Sequence, residues 1–143
     1  MRVVAASLFL ACAMTGQLVF AAEQKPYADI PVHKQSGIDY VSGGMTPEEK
    51  HEIQRIANKY PMQMVFTAEG EPPELKGVQV KVKDLKGNVV LEAEAQGPFF
   101  YFNPPSGRWT MEAQYKGETV SRTVDLIGRR YIVLPFHFKG SGG

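Results

Sequence analysis

The side chains of this 143-residue chain that most invite a chemical reading are three histidines, a methionine pair and one aromatic run. A zinc-hydrolase ligand pair of the form His-x-x-Glu needs a carboxylate three residues after a histidine. His33, His51 and His137 are followed at that spacing by Ser36, Gln54 and Gly140, so the pair is absent. Met62-Gln63-Met64 offers two thioethers, a soft donor set for Cu(I). The same residues continue to Phe66 on one face of a strand, and the core reading is favoured. No serine or threonine sits in a nucleophile-elbow pattern, and no glycine-rich phosphate loop is present. An intramolecular isopeptide bond needs an asparagine or aspartate near the end of the last strand, and Arg130 to Phe138 contains neither.

The aromatic run is Gly97 to Trp109, GPFFYFNPPSGRW, with five aromatic residues around a proline pair. With Asn103 to Gly107 as a hairpin connection, Tyr101 opposes Trp109 and Phe99 opposes Met111, all on the core face. Phe100 and Phe102 then leave that face, with Thr110 and Arg108 opposite them. Something must cover two adjacent outward phenylalanines. One candidate is the protein itself, through the helix stripe or the N-terminal arm. The other is a partner surface made of Phe100, Phe102, Tyr101, Asn103 and Arg108.

The elements that would position these residues begin after a targeting segment. Arg2 precedes an apolar run through Met14, and Val19-Phe20-Ala21 suits signal cleavage after Ala21. The run is shorter than the ~18–20 residues that span a bilayer, so no transmembrane segment is expected after cleavage. Cleavage removes Arg2 and Cys12, leaving 15 basic residues against 15 acidic and no cysteine. A neutral chain lacks the cationic surface that nucleic acid binding requires. A chain without cysteine must be stabilised by an ordinary core.

Residues 22–44 read as an extended arm with room for one short strand, jointed at Ser42-Gly43-Gly44. Residues 45–139 read as a helix plus a β-sandwich, and 140–143 as a tail. Thr46-Pro47-Glu48-Glu49 starts the helix with an N-cap, a proline in the first turn and a glutamate placed for a capping box. Ile53, Ile56, Ala57 and Tyr60 form its apolar stripe, and Pro61 ends it. From Met62 the apolar period becomes two. Strands are expected at Met62–Phe66, around Val78–Val82 and Val89–Ala93, and then at Phe99–Phe102, Arg108–Tyr115, Glu118–Leu126 and Arg130–Phe138. In the register that buries the valines, Lys81 faces Glu92 on the outer surface.

The hairpin with Asp84 and Gly87, then Gly97-Pro98-Phe99, then Pro104-Pro105-x-Gly107-x-Trp109 and a glycine turn resembles the transthyretin-like, carboxypeptidase-regulatory-type β-sandwich. Trp109 stands where tyrosine is usual. Tyr40-Val41-Ser42-Gly43-Gly44 with Glu48-Glu49 extends the likeness to small exported bacterial proteins of that kind. The resemblance implies a mainly β fold of about seven strands with one N-terminal helix, and a domain that is itself non-catalytic. Transthyretin-related hydrolases end in Tyr-Arg-Gly-Ser. Phe138-Lys139-Gly140-Ser141 matches that ending at only two positions, and His137 lacks the histidine-rich strand those enzymes carry.

Two function classes follow. One is a periplasmic or secreted, non-catalytic module that binds a protein, peptide or glycan and needs no cofactor or metal. The other is a small hydrolase or metal-binding protein with a site assembled from distant histidine, methionine and carboxylate residues.

Overall fold

The helix start behaves as its residues demand. In this computed structural model, which describes residues 28–128 and 130–140, Thr46 adopts an extended N-cap conformation and its hydroxyl accepts from the Glu49 amide at 3.1 Å. Glu49 reaches back, but to the amides of Gly44 and Met45 at 3.1 and 3.0 Å rather than to that of Thr46. Helix α1 covers Pro47–Arg55, and a short 3-10 turn, Ala57–Lys59, carries the chain to Pro61. Ile53, Ile56 and Tyr60 are buried, with Ala57 beside them, as the stripe requires.

The described residues form nine strands: β1 His33–Gln35, β2 Ile38–Gly43, β3 Met62–Ala68, β4 Gln79–Lys83, β5 Val89–Glu94, β6 Phe99–Asn103, β7 Gly107–Tyr115, β8 Glu118–Leu126 and β9 Ile132–Phe138. They form a five-stranded sheet, β1-β2-β6-β3-β9, and a four-stranded sheet, β5-β4-β7-β8. All pairs are antiparallel except β3 with β9. The fold is mainly β, with two sheets and one short helix. The strand count exceeds the expected seven because the N-terminal segment joins the sheet. Residues 33–43 are not an arm but a hairpin whose two turn residues, Ser36 and Gly37, both have positive φ. That is the turn geometry which matches strand twist, so β2 is delivered in register against β6. The signal segment and the last three residues lie outside the described residues.

The two sheets share one apolar cluster. Met62, Met64, Phe66, Phe100, Phe102 and Phe136 contribute from the larger sheet, and Val80, Val82, Leu91, Trp109, Met111 and Ala113 from the smaller. Met62 and Met64 are thus core residues. A second cluster lies on the outer face of the larger sheet, where Val41 and Tyr101 receive Ile53, Ile56 and Tyr60 from the helix. The layers are helix, sheet, sheet.

Strand β6 corrects the expected hairpin. It pairs with β2 and β3 in the larger sheet, while β7 pairs with β4 and β8 in the smaller. The Pro104-Pro105 connection has no amide hydrogens to fold the chain back upon itself and carries it across to the other sheet. The Trp109 indole N–H pins this crossing by donating to the Pro105 carbonyl at 2.9 Å. Lys81 does face Glu92. A bulge at Val82–Lys83 turns Val89 outward, contrary to the simple alternation.

Candidate functional site

The crossing of β6 decides the fate of the predicted aromatic surface. Phe100 and Phe102 are fully buried between the sheets, so they present nothing to a partner. Tyr101 is buried under the helix, and its hydroxyl pKa is pushed up by that burial. Asn103 is exposed at the end of β6. Arg108 is exposed too, but it donates to both carboxylate oxygens of Asp125 at 2.7 and 3.3 Å and does not face a phenyl ring. The five residues do not form one surface. The histidines are dispersed as well: His33 on β1, His51 on α1, and His137 on β9, where its Nδ1 lies 2.8 Å from the Thr67 hydroxyl. Among the described residues, no group of three or more His, Cys, Asp or Glu side chains is placed to hold a metal ion.

The structure instead brings together residues 29–49 and 76–96. Between β2 of the larger sheet and the outer edge of β5 in the smaller one lies a cleft of about 720 Å³. One wall is an aromatic stack. Tyr40 lies against Phe100 of the core at 5.3 Å between ring centroids, and His33 lies against Tyr40 from outside at 5.2 Å. The register explains this: His33 is directly opposite Tyr40 across the β1–β2 hairpin. Asp29, Glu49, Glu94 and Lys76 add three carboxylates and one ammonium to the lining. The Glu49 carboxylate is held by the two amides before the helix, whereas the Glu94 carboxylate accepts from the exposed Gln79 side chain at 3.1 Å.

The opposite wall is backbone. The Ala95 amide donates to the Val78 carbonyl at 2.8 Å, and Gly77 donates to the Ala95 carbonyl at 3.0 Å. In an antiparallel ladder the direction of these groups alternates, so Ala93 and Ala95 face β4 while Glu92 and Glu94 turn their backbone outward. The outward pair of Glu92 is fully occupied by one side chain. The Gln35 amide nitrogen donates to the Glu92 carbonyl at 2.8 Å, and the Glu92 amide donates to the Gln35 side-chain oxygen at 3.0 Å. Four residues on, the Gln96 amide donates to the Ser42 hydroxyl at 2.8 Å, which itself donates to the Phe99 carbonyl at 2.8 Å. The larger sheet therefore grips the β5 edge at two points. Between them the Glu94 carbonyl accepts from the Gln96 side chain at 3.1 Å, and the alternation turns the Glu94 amide away from β4.

No local spacing announces this site, since its parts lie in two segments far apart in sequence. One signal was available. Ser36-Gly37 between His33 and Tyr40 is a two-residue turn, and reading it as a hairpin stacks those two rings.

No family model matches the chain, and no curated protein matches it. A solved structure titled "Crystal Structure of S.CueP" is 18% identical, with a TM-score of 0.41, over 78% of this chain and 80% of that one. A likeness of that degree assigns neither a family nor a ligand. Among the described residues, no helix is long and apolar enough to cross a membrane.

Proposed function

We propose that this chain is an exported, non-catalytic binding module of the transthyretin-like sandwich type, and that its cleft between β2 and β5 takes a short extended peptide with a basic side chain. The observation that carries this reading is the edge of β5, gripped at Glu92 and Gln96, with the Glu94 amide between them turned away from β4 by the alternation. An extended segment entering there gains a backbone hydrogen bond from the sheet edge, as in strand-addition recognition. The Tyr40–His33 stack supplies an apolar wall for the side chain on one side of that segment. Three carboxylates against one ammonium favour a lysine or arginine at the mouth.

The test is fluorescence anisotropy of a labelled pentapeptide, Ala-Val-Lys-Val-Ala, against its glutamate counterpart. The lysine peptide should bind the more tightly of the two, and Glu94→Lys, which leaves two carboxylates against two ammoniums in the lining, should abolish the preference. Equal binding of both peptides, or an unchanged preference in the variant, would remove the cleft from the account. Hydrolysis of either peptide during the titration would move the protein to the hydrolase class.

A further inference from the structure

A second cleft, of about 360 Å³, lies where the 3-10 turn, the β6–β7 crossing and the start of β9 meet. Its apolar walls come from Pro61, Pro104, Pro105, Leu126 and the Tyr131 ring. These walls are held in place. The Tyr131 hydroxyl donates to the Asn58 carbonyl at 2.7 Å, the Ile132 amide to the Pro61 carbonyl at 2.7 Å, and Trp109 fixes Pro105. A cleft built of proline rings and pinned by two bonds between distant segments and one within the β6–β7 crossing is preformed, so a ligand entering it orders little of the protein.

Its charge differs from that of the first cleft. Lys59 and Arg130 stand in the lining, and no aspartate or glutamate does. Neither cation takes part in an ion pair among the described residues. The nearby Arg108 is neutralised by Asp125, so among the described residues the net positive charge of this region rests on the two lining residues. Ring-lined walls beneath two uncompensated cations match an anion with an apolar body. The volume fits a small molecule and is too small for a folded partner or a long glycan.

The geometry points to a second binding site, for a small aromatic or aliphatic carboxylate, its apolar body against Pro104, Pro105 and Tyr131 and its carboxylate between Lys59 and Arg130. The site is independent of the peptide cleft and stands or falls without it.

Phenylacetate and its neutral isostere phenylacetamide are the probes, titrated into the isotopically labelled full chain and followed by amide NMR. Phenylacetate should shift the resonances of Lys59, Asn103 and Tyr131. Phenylacetamide should bind roughly ten-fold more weakly, the usual scale of losing a charge-assisted hydrogen bond. Added salt should weaken the acid and leave the amide unchanged, because exposed charges are screened. Lys59→Gln with Arg130→Gln should abolish the preference for the acid; both side chains are exposed, so the fold is kept. Equal affinity for acid and amide would overturn the proposal, as would shifts confined to the β2–β5 cleft. Binding of the peptide Ala-Ala-Ala-Phe without binding of phenylacetate would overturn it too, by assigning the cleft to chain termini.

Discussion

Replacing Phe100 with alanine separates the core role of the aromatic run from the surface role that its sequence also suggested. The ring is fully buried, lies against Tyr40 at 5.3 Å and approaches Phe102 at 6.2 Å. Truncating a buried phenylalanine to alanine costs about 3–5 kcal/mol, the upper part of that range applying where rigid neighbours cannot collapse into the space. Phe100 sits on the central strand of its sheet, between β2 and β3, so collapse is restricted and about 4 kcal/mol is expected. At a urea slope of about 1–3 kcal/mol per molar, the unfolding midpoint should fall by roughly 1–4 M with the slope unchanged. The assay is equilibrium urea unfolding followed by circular dichroism and tryptophan fluorescence. Asn103→Ala, two residues beyond Tyr101 and exposed, is the control and should shift stability by no more than about 0.5 kcal/mol. A Phe100→Ala midpoint equal to that of the control would refute the two-sheet core and return Phe100 to the surface.

Gln35→Ala removes both side-chain bonds to Glu92 and should free the Glu92 amide for hydrogen exchange while leaving the core amides protected; unchanged exchange would show that the grip on β5 is not formed in solution. A Cβ at Gly97 would strike the Gly43 backbone, so Gly97→Ala should lower the melting temperature severely, by more than Gly87→Ser, where open space surrounds the turn and the cost is that of a side chain at positive φ. Glu71 accepts from the Tyr115 hydroxyl and from Lys116, which holds its carboxyl below the ordinary 4.5. Its contribution is therefore complete above that value and lost as pH falls through the lower folded one, and Glu71→Gln should flatten the acid limb of a pH–stability curve. Tyr115 is raised above 10.0 by burial first and then by its bond to Glu71, so its contribution holds below that value and is lost as pH rises through the folded one. Protein purified from the envelope should begin at Ala22, and N-terminal sequencing that reads Met1 would contradict the export reading.

Much of the local structure was legible because it follows from local chemistry. The N-cap at Thr46, the stripe from Ile53 to Tyr60, the alternation of β3 and β4, and the Lys116-Gly117 turn with positive φ at both residues all came from neighbouring residues. The placement of β6 did not. Phe99 to Phe102 are aromatic at every position because the strand is covered on both faces, by the smaller sheet and by the helix. A strand buried on both faces has no alternation to show which side is which, and nearness in sequence then favours a hairpin that the two prolines do not make. The β1–β2 hairpin was missed for a different reason: His33-Lys34-Gln35 is short and polar, and its pairing is secured by the turn rather than by apolar residues. The cleft followed both errors into obscurity. Its walls are β2, read as part of an extended arm that ends in a joint, and the outer edge of β5, which no residue pattern marks as an edge.

Amide exchange at Glu94, measured by NMR with and without saturating Ala-Val-Lys-Val-Ala, tests the central claim most directly. Bound peptide should protect the Glu94 amide and leave Ala93 and Ala95, already bonded to β4, as they were. Peptide binding with no change at Glu94 would contradict the account.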